Sequence, residues 1–208
     1  TMVLRSDMTT PIARVMGSLL QKETLPVRLA YHANVFRSIE EEAGREAEFF
    51  QTGAELVGVD SPEGDAEVIA LAIASLQAAG VQNFQISLGH VGFLSGLLEE
   101  ALPEQADKQE ALKERLLNRD FVGFREQLTS YHLSAAQRQE LEGLLRLRGA
   151  QDICKQALEI SSNPQAAAAI EHLCKVWEVL EAYGMSKYVM IDLTMIGNFS
   201  YYTGMVFE

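Results

Sequence analysis

The feature that most constrains this chain is a long helical interruption between strand-like segments. From about Pro103 to Tyr183, Leu, Ala, Glu, Gln and Arg recur at helical spacing with no convincing strand-like run. Before and after this block the sequence carries short runs rich in β-branched and aromatic residues. The block therefore reads as a helical insertion, residues 103–183, in an α+β core made of residues 1–102 and 184–208. Its last helix is the clearest. Asn163 is a good N-cap before Pro164, Ile170, Leu173, Cys174, Trp177 and Leu180 fall on one face, and Gly184 ends the run.

Ahead of the insertion, Thr9, Thr10 and Pro11 precede Ile12, Val15, Met16, Leu19 and Leu20, which predicts a helix ending near Lys22. Val27 to Arg37 and Glu46 to Val59 read as the arms of a long antiparallel hairpin, with the polar stretch Glu40 to Gly44 between them. Glu63 to Ala79 is a helix stopped by Gly80, and Phe84 to Leu88 is a strand that runs into a helix from Val91 to Glu100. Strand character returns at Lys187 to Leu193 and at Tyr201 to Phe207.

Composition narrows the classes of function. The chain has 208 residues and is 48% hydrophobic, which suits one substantial core or one core with a smaller appendage. Its formal charge of −12 sets up a field that repels a polyanion, so nucleic acid is a poor partner. No apolar run approaches the roughly 20 residues needed to span a bilayer. Cys154 and Cys174 form no CxxC pair and have no His at metal-ligand spacing, which predicts helix-face thiols in a reducing, cytoplasmic setting without a structural metal. The first and last residues read as the middle of patterns, so the core is expected to be truncated at both ends.

The polar residues of the hairpin carry the chemistry. Gln51 and Glu55 share a strand face across Gly53, which is expected to leave open space for a small polar ligand. Arg37, at the end of an apolar strand, wants an anionic partner, and a structural ion pair with Glu55 is the plain alternative. Asp7 and Thr9 form a further polar group, with an N-cap by Thr9 or Thr10 as its plain alternative. Tyr201 and Tyr202, if in a strand, face opposite sides, so that one packs and the other offers its hydroxyl to a pocket. The four histidines are scattered and suggest neither a triad nor a metal site. There is no GxxxxGK[ST], no GxGxxG after a strand and no GxSxG.

Taken in order, these pieces resemble one family. Leu4-Arg5-Ser6-Asp7-Met8-Thr9-Thr10 is similar to the L-R-P-E-G-T-A segment of histidyl-tRNA synthetases. Val35-Phe36-Arg37 resembles the F-R of class II motif 2, and Gly44 to Glu55 resembles its return strand G-R-Y-R-Q-F-H-Q-x-G-x-E. Tyr201-Tyr202-Thr203-Gly204-Met205-Val206-Phe207-Glu208 resembles Y-Y-T-G-x-V-F-E. The resemblance covers essentially the whole chain. It implies a class II aminoacyl-tRNA-synthetase-like antiparallel sheet flanked by helices, and a histidine-like pocket. In that pocket Glu55, Gln51, Tyr201 and Tyr202 would surround the imidazole and amino group, Asp7 and Thr9 would hold the amino group, and Arg37 would meet a carboxylate or phosphate.

The departures from the pattern bear on activity. Active synthetases have R-G-L-D before Y-Y, where this chain has Gly197-Asn198-Phe199-Ser200, so the arginine that stabilises charge at the α-phosphate is missing. The return strand has Ala47-Glu48 in place of Arg-Gln, and the normally basic motif 2 loop reads Ser38-Ile39-Glu40-Glu41-Glu42-Ala43. Anions beside a triphosphate site oppose binding. The resemblance is then closest to the synthetase-like regulatory subunits of ATP phosphoribosyltransferase in histidine biosynthesis. It implies a non-catalytic subunit needing no cofactor, which activates a short-form catalytic subunit, mediates feedback by histidine, and self-associates as a dimer. A divergent synthetase fragment and a stand-alone histidine-binding pseudo-synthetase sensor are the alternatives.

Overall fold

A computed structural model describes residues 3–37, 47–161, 163–197 and 201–208. The chain divides into two compact units, residues 1–64 and 65–208. The motif 2 loop substitutions and residues 198–200 lie outside the described residues.

The first unit contains α1 (Thr9–Met16), β1 (Val27–Phe36) and β2 (Glu48–Val57). α1 is shorter than its apolar spacing predicts and ends at Gly17, after which the chain turns. Its first turn is held by the carboxylate of Asp7, whose Oδ1 accepts from the Thr10 N–H at 3.2 Å, so neither Thr9 nor Thr10 acts as the cap. β1 and β2 pair antiparallel over their whole length, from Val27 opposite Val57 to Phe36 opposite Glu48. This is the hairpin that the two apolar runs predict. Gly58 follows β2 at φ +89°, a backbone conformation open to glycine, and lets the chain leave the ladder.

α2 (Pro62–Ala78) starts at the boundary with Pro62 in its first turn, and Gly80 at φ +79° follows its end. In the second unit its apolar stripe, Ala66, Ile69 and Ile73, is fully buried. β3 (Ile86–His90) passes directly into α3 (Val91–Ala101), and the His90 ring accepts from the Gly92 N–H at 3.1 Å as the cap. α4 (Ala106–Leu117), α5 (Phe121–Ser130), α6 (Ala135–Leu144), β4 (Arg148–Gly149), α7 (Asp152–Ile160) and α8 (Pro164–Ala182) follow, then β5 (Val189–Asp192) and β6 (Met205–Phe207). Asn163 caps α8 through Oδ1, which accepts from the N–H groups of Gln165 and Ala166.

The α+β class of the sequence reading holds, but the sheet of this unit is mixed. Its order is β4-β5-β3-β6, with β3 and β5 parallel and the other pairs antiparallel. The reason is topological. The chain leaves β3 into α3 and comes back through helices to β5, a crossover that returns it in the same direction. The two-residue β4 falls inside the helical block, where it pairs Arg148 with Asp192 and is too short to leave a period in the sequence.

One apolar cluster runs through this unit. Phe93, Leu94, Leu97 and Leu98 of α3 are buried, as are Ala169, Ile170, Leu173, Val176 and Leu180 of α8. The helices approach closely because Gly96 has no side chain. A Cβ there would lie 2.6 Å from Asn163 Oδ1 and 2.8 Å from the Ala166 nitrogen. Cys154 and Cys174 do lie on helix faces, but they face each other across α7 and α8 and are bonded as a disulfide, which corrects the expectation of thiols. Neither residue type nor spacing signals this, because the partners are brought together only by the packing of the two helices.

Candidate functional site

The hairpin ladder fixes which polar groups can meet in the first unit. Gln51, Gly53 and Glu55 alternate with more exposed neighbours on one face of β2, opposite Ala33, Tyr31 and Leu29. Thr9 at the start of α1 donates its hydroxyl to Glu55 Oε1 at 2.8 Å, linking the N-terminal segment to the return strand. Asp7 is 8% exposed, and its carboxylate is engaged by the Thr10 N–H and the Ser6 hydroxyl. Gln51 Oε1 is buried and, among the described residues, has no hydrogen-bond partner. A buried acceptor without a partner is costly, so a ligand donor at this point has a physical reason to bind.

Two expectations are corrected by the ladder. The space over Gly53 is not open: the ring of Tyr31, its cross-strand partner, covers the glycine, and a Cβ there would strike it. Arg37 does not pair with Glu55. Its N–H bonds to the Ala47 carbonyl at 2.9 Å, whereas Glu55 lies opposite Leu29 toward the other end of the hairpin. The Arg37 guanidinium instead sits 5.2 Å from the centre of the Phe49 ring. The structure thus groups Thr9 with Glu55, holds Asp7 at the start of α1 and Gln51 on the Glu55 face, and puts Arg37 at the loop end of the ladder.

Tyr201 and Tyr202 belong to the second unit. They precede β6 rather than lying in it, so they do not alternate; their rings meet edge to face at 5.1 Å. Tyr202 lines a cavity of about 710 Å³ with Thr203, Gly197, the first turn of α3 and the polar α4 residues Glu110, Lys113 and Glu114. Gly197 lies directly against the Tyr202 ring, which occupies the space that any side chain at 197 would need.

Sequence reading missed one polar cluster. His172 Nε2 lies 2.6 Å from Asp65 Oδ2, and the His90 ring stands edge-on to His172 at 5.7 Å. Burial holds the His90 imidazole down at about 4, and the neighbouring His172 adds to the effect. These residues come from α2, β3 and α8, so only the fold brings them together. Among the described residues no group of three or more His, Cys, Asp or Glu side chains could hold a metal ion, and no helix is long and apolar enough to cross a membrane.

Comparison with known proteins adds relatives to this geometry. The family model described as histidyl-tRNA synthetase matches residues 1–208. A Bacillus licheniformis protein named ATP phosphoribosyltransferase regulatory subunit is 45% identical over the whole chain and 53% of its own length, and a Bacillus subtilis protein of the same name is 43% identical with the same coverage. The chain spans about half the length of the curated relatives it matches. Among solved structures, an ATP phosphoribosyltransferase regulatory subunit/histidyl-tRNA synthetase from Bacillus halodurans is 40% identical at a TM-score of 0.92, over 98% of this chain and 53% of that one. A histidyl-tRNA synthetase from Nostoc is 21% identical at a TM-score of 0.82, over 98% of this chain and 48% of that one, a likeness of fold.

Proposed function

The chain belongs to the histidyl-tRNA synthetase family, and from that premise we propose that it is part of a non-catalytic regulatory subunit of ATP phosphoribosyltransferase. It activates a short-form catalytic subunit and transmits feedback by histidine. The observation that carries this reading is Gly197. It stands where the resemblance puts the arginine of R-G-L-D, and the Tyr202 ring fills the space an arginine side chain would leave through. Without that cation, charge building up at an α-phosphate has lost a stabilising partner. The relatives from Bacillus licheniformis and Bacillus subtilis support the same assignment through their names and their identity to this chain.

Histidine is the proposed ligand. The carboxylates of Glu55 and Asp7 suit its ammonium group, the Thr9 hydroxyl is already tied to Glu55, and the unpartnered Gln51 oxygen suits an N–H donor. The resemblance also assigns Tyr201 and Tyr202 to histidine recognition and gives Arg37, which sits at the loop end of the ladder away from Glu55, to a carboxylate or phosphate; those roles are part of the proposal. Residues 103–183 are an insertion in the synthetase-like core. The subunit works in the cytoplasm, self-associates as a dimer and, with a formal charge of −12, does not take nucleic acid as a partner.

Histidine-dependent ATP–pyrophosphate exchange tests the loss of adenylation. The expected result is no exchange above a control lacking histidine, and robust exchange would return the chain to the active synthetases. Co-purification with the short-form catalytic subunit separates the regulatory role from that of a stand-alone sensor.

A further inference from the structure

The helical block contains a hairpin of α7 and α8 that is closed at both ends. At one end the chain itself joins Ile160 to Pro164. At the other, the Cys154–Cys174 disulfide ties the first turn of α7 to the middle of α8, with Cα atoms 6.0 Å apart. The two helices are anchored unequally. α8 lies in the apolar cluster through Ala166, Ala169, Ile170, Leu173, Val176, Trp177 and Leu180, whereas α7 buries Ile153, Cys154 and Ala157 alone. Cys154 is thus one of three buried side chains of α7, and the partly buried Ile160 packs against the same cluster. β4 is held separately by its ladder to β5 and touches α7 through Gly149, which packs against Ile153.

We infer that Cys154 and Cys174 form a redox-responsive clip that fastens α7 to α8 when oxidised and releases it when reduced. Cys174 is half-buried where Cys154 is buried, which makes it the more accessible residue of the pair, and attack by a small thiolate is assigned to its sulfur. Attack there breaks the S–S bond, forms a mixed disulfide at Cys174, and expels Cys154 as a thiolate that takes up a proton. A second low-molecular-weight thiol resolves the mixed disulfide. Two small thiols become one small disulfide, and the protein disulfide becomes two thiols. Oxidation by a small disulfide such as oxidised glutathione is the reverse. In a reducing compartment a protein disulfide is usually transient or regulatory, which suits a clip that opens and closes rather than a permanent staple.

Release acts on a defined segment. In the reduced state α7 keeps Ile153, Ala157 and Ile160 against its neighbours and loses its covalent tie, so residues 152–160 open more often, while α3 and α8 keep their shared core.

The test uses the intact protein equilibrated with oxidised or with reduced glutathione. Mass spectrometry of the oxidised sample is expected to show a mass lower by two hydrogens and no alkylation at Cys154 or Cys174, and the reduced sample is expected to take up iodoacetamide at Cys174 without denaturant. Amide exchange over residues 152–160 is expected to be about tenfold faster in the reduced sample, with α3 unchanged. Cys174→Ser and Cys154→Ala should each abolish the difference between the two buffers. Because the comparison between redox states needs no substitution, a variant that misfolds does not decide the matter. Alkylation of both cysteines after oxidised glutathione, or equal exchange over 152–160 in the two states, would overturn the proposal.

Discussion

In residues 3–64 the buried apolar side chains among those described are Ile12 and Val35, whereas in residues 65–208 a single apolar cluster extends from Ala66 to Leu193. The first unit holds its shape through the backbone ladder of β1 and β2, and the second through side-chain packing around α3 and α8. Of the polar groups assigned to ligand binding in the first unit, Gln51 and Glu55 are therefore positioned by register, while Asp7 and Thr9 are held at the start of α1 by hydrogen bonds, and none of them is a packed apolar side chain whose loss would empty a core. The helical unit has the opposite economy: its side chains set stability, and few of them are free to serve a ligand.

The largest expected effect is in the packed unit. Phe124 is fully buried, and Phe124→Ala is expected to cost roughly 3–5 kcal/mol in denaturant-induced unfolding. Next comes a dependence on pH. His90 binds its proton in the folded state only near about 4, well below the ordinary value of 6.5. As pH falls below 6.5 the unfolded chain takes up a proton that the folded chain refuses, so this contribution to stability is complete above 6.5 and is lost as pH falls toward 4. With a discount for the partial exposure of the ring, the loss is on the order of 2 kcal/mol. His90→Asn keeps a capping oxygen for the Gly92 N–H and removes the titration, so its stability is expected to vary less between about pH 7 and about pH 5 when both proteins are unfolded in denaturant.

In the ladder unit the expected effects fall on ligand affinity. Glu55→Ala removes a charge-assisted hydrogen bond and should weaken histidine binding roughly ten- to a hundredfold by calorimetric titration, with little loss of stability. Removing the α8 cap by Asn163→Ala is expected to cost about 1 kcal/mol of stability. Phe50 is 66% exposed, and Phe50→Ala should stay within about 0.5 kcal/mol of the parent. If Phe50→Ala proved as damaging as Phe124→Ala, the contrast between a ladder-held and a core-held unit would fail.

The same contrast explains what could be read from the sequence. The hairpin was legible because two runs rich in strand-forming residues, Val27 to Arg37 and Glu46 to Val59, flank a polar stretch, and α8 was legible because its cap and its apolar stripe are local signals. The parallel pairing of β3 and β5 was not, since strand direction depends on the path of the helices between them. The Thr9–Glu55 bond joins the start of α1 to β2 across the whole of β1 and was not legible, although the motif resemblance put both residues near one amino group. The Cys154–Cys174 bond and the Asp65–His172–His90 cluster left no local trace, because each joins elements that meet only through packing. Gly53 and Arg37 show the converse error: a local pattern suggested a gap and an ion pair, and the register put Tyr31 over the one and pulled the other away.

The most direct test of the regulatory account is the rate of phosphoribosyl transfer to ATP by the short-form catalytic subunit, measured alone, with the intact protein, and with the intact protein plus histidine. The account predicts a large rise in rate on adding the protein and a fall when histidine is added. A rate that is the same with and without the protein, at concentrations where both subunits are folded, would contradict it.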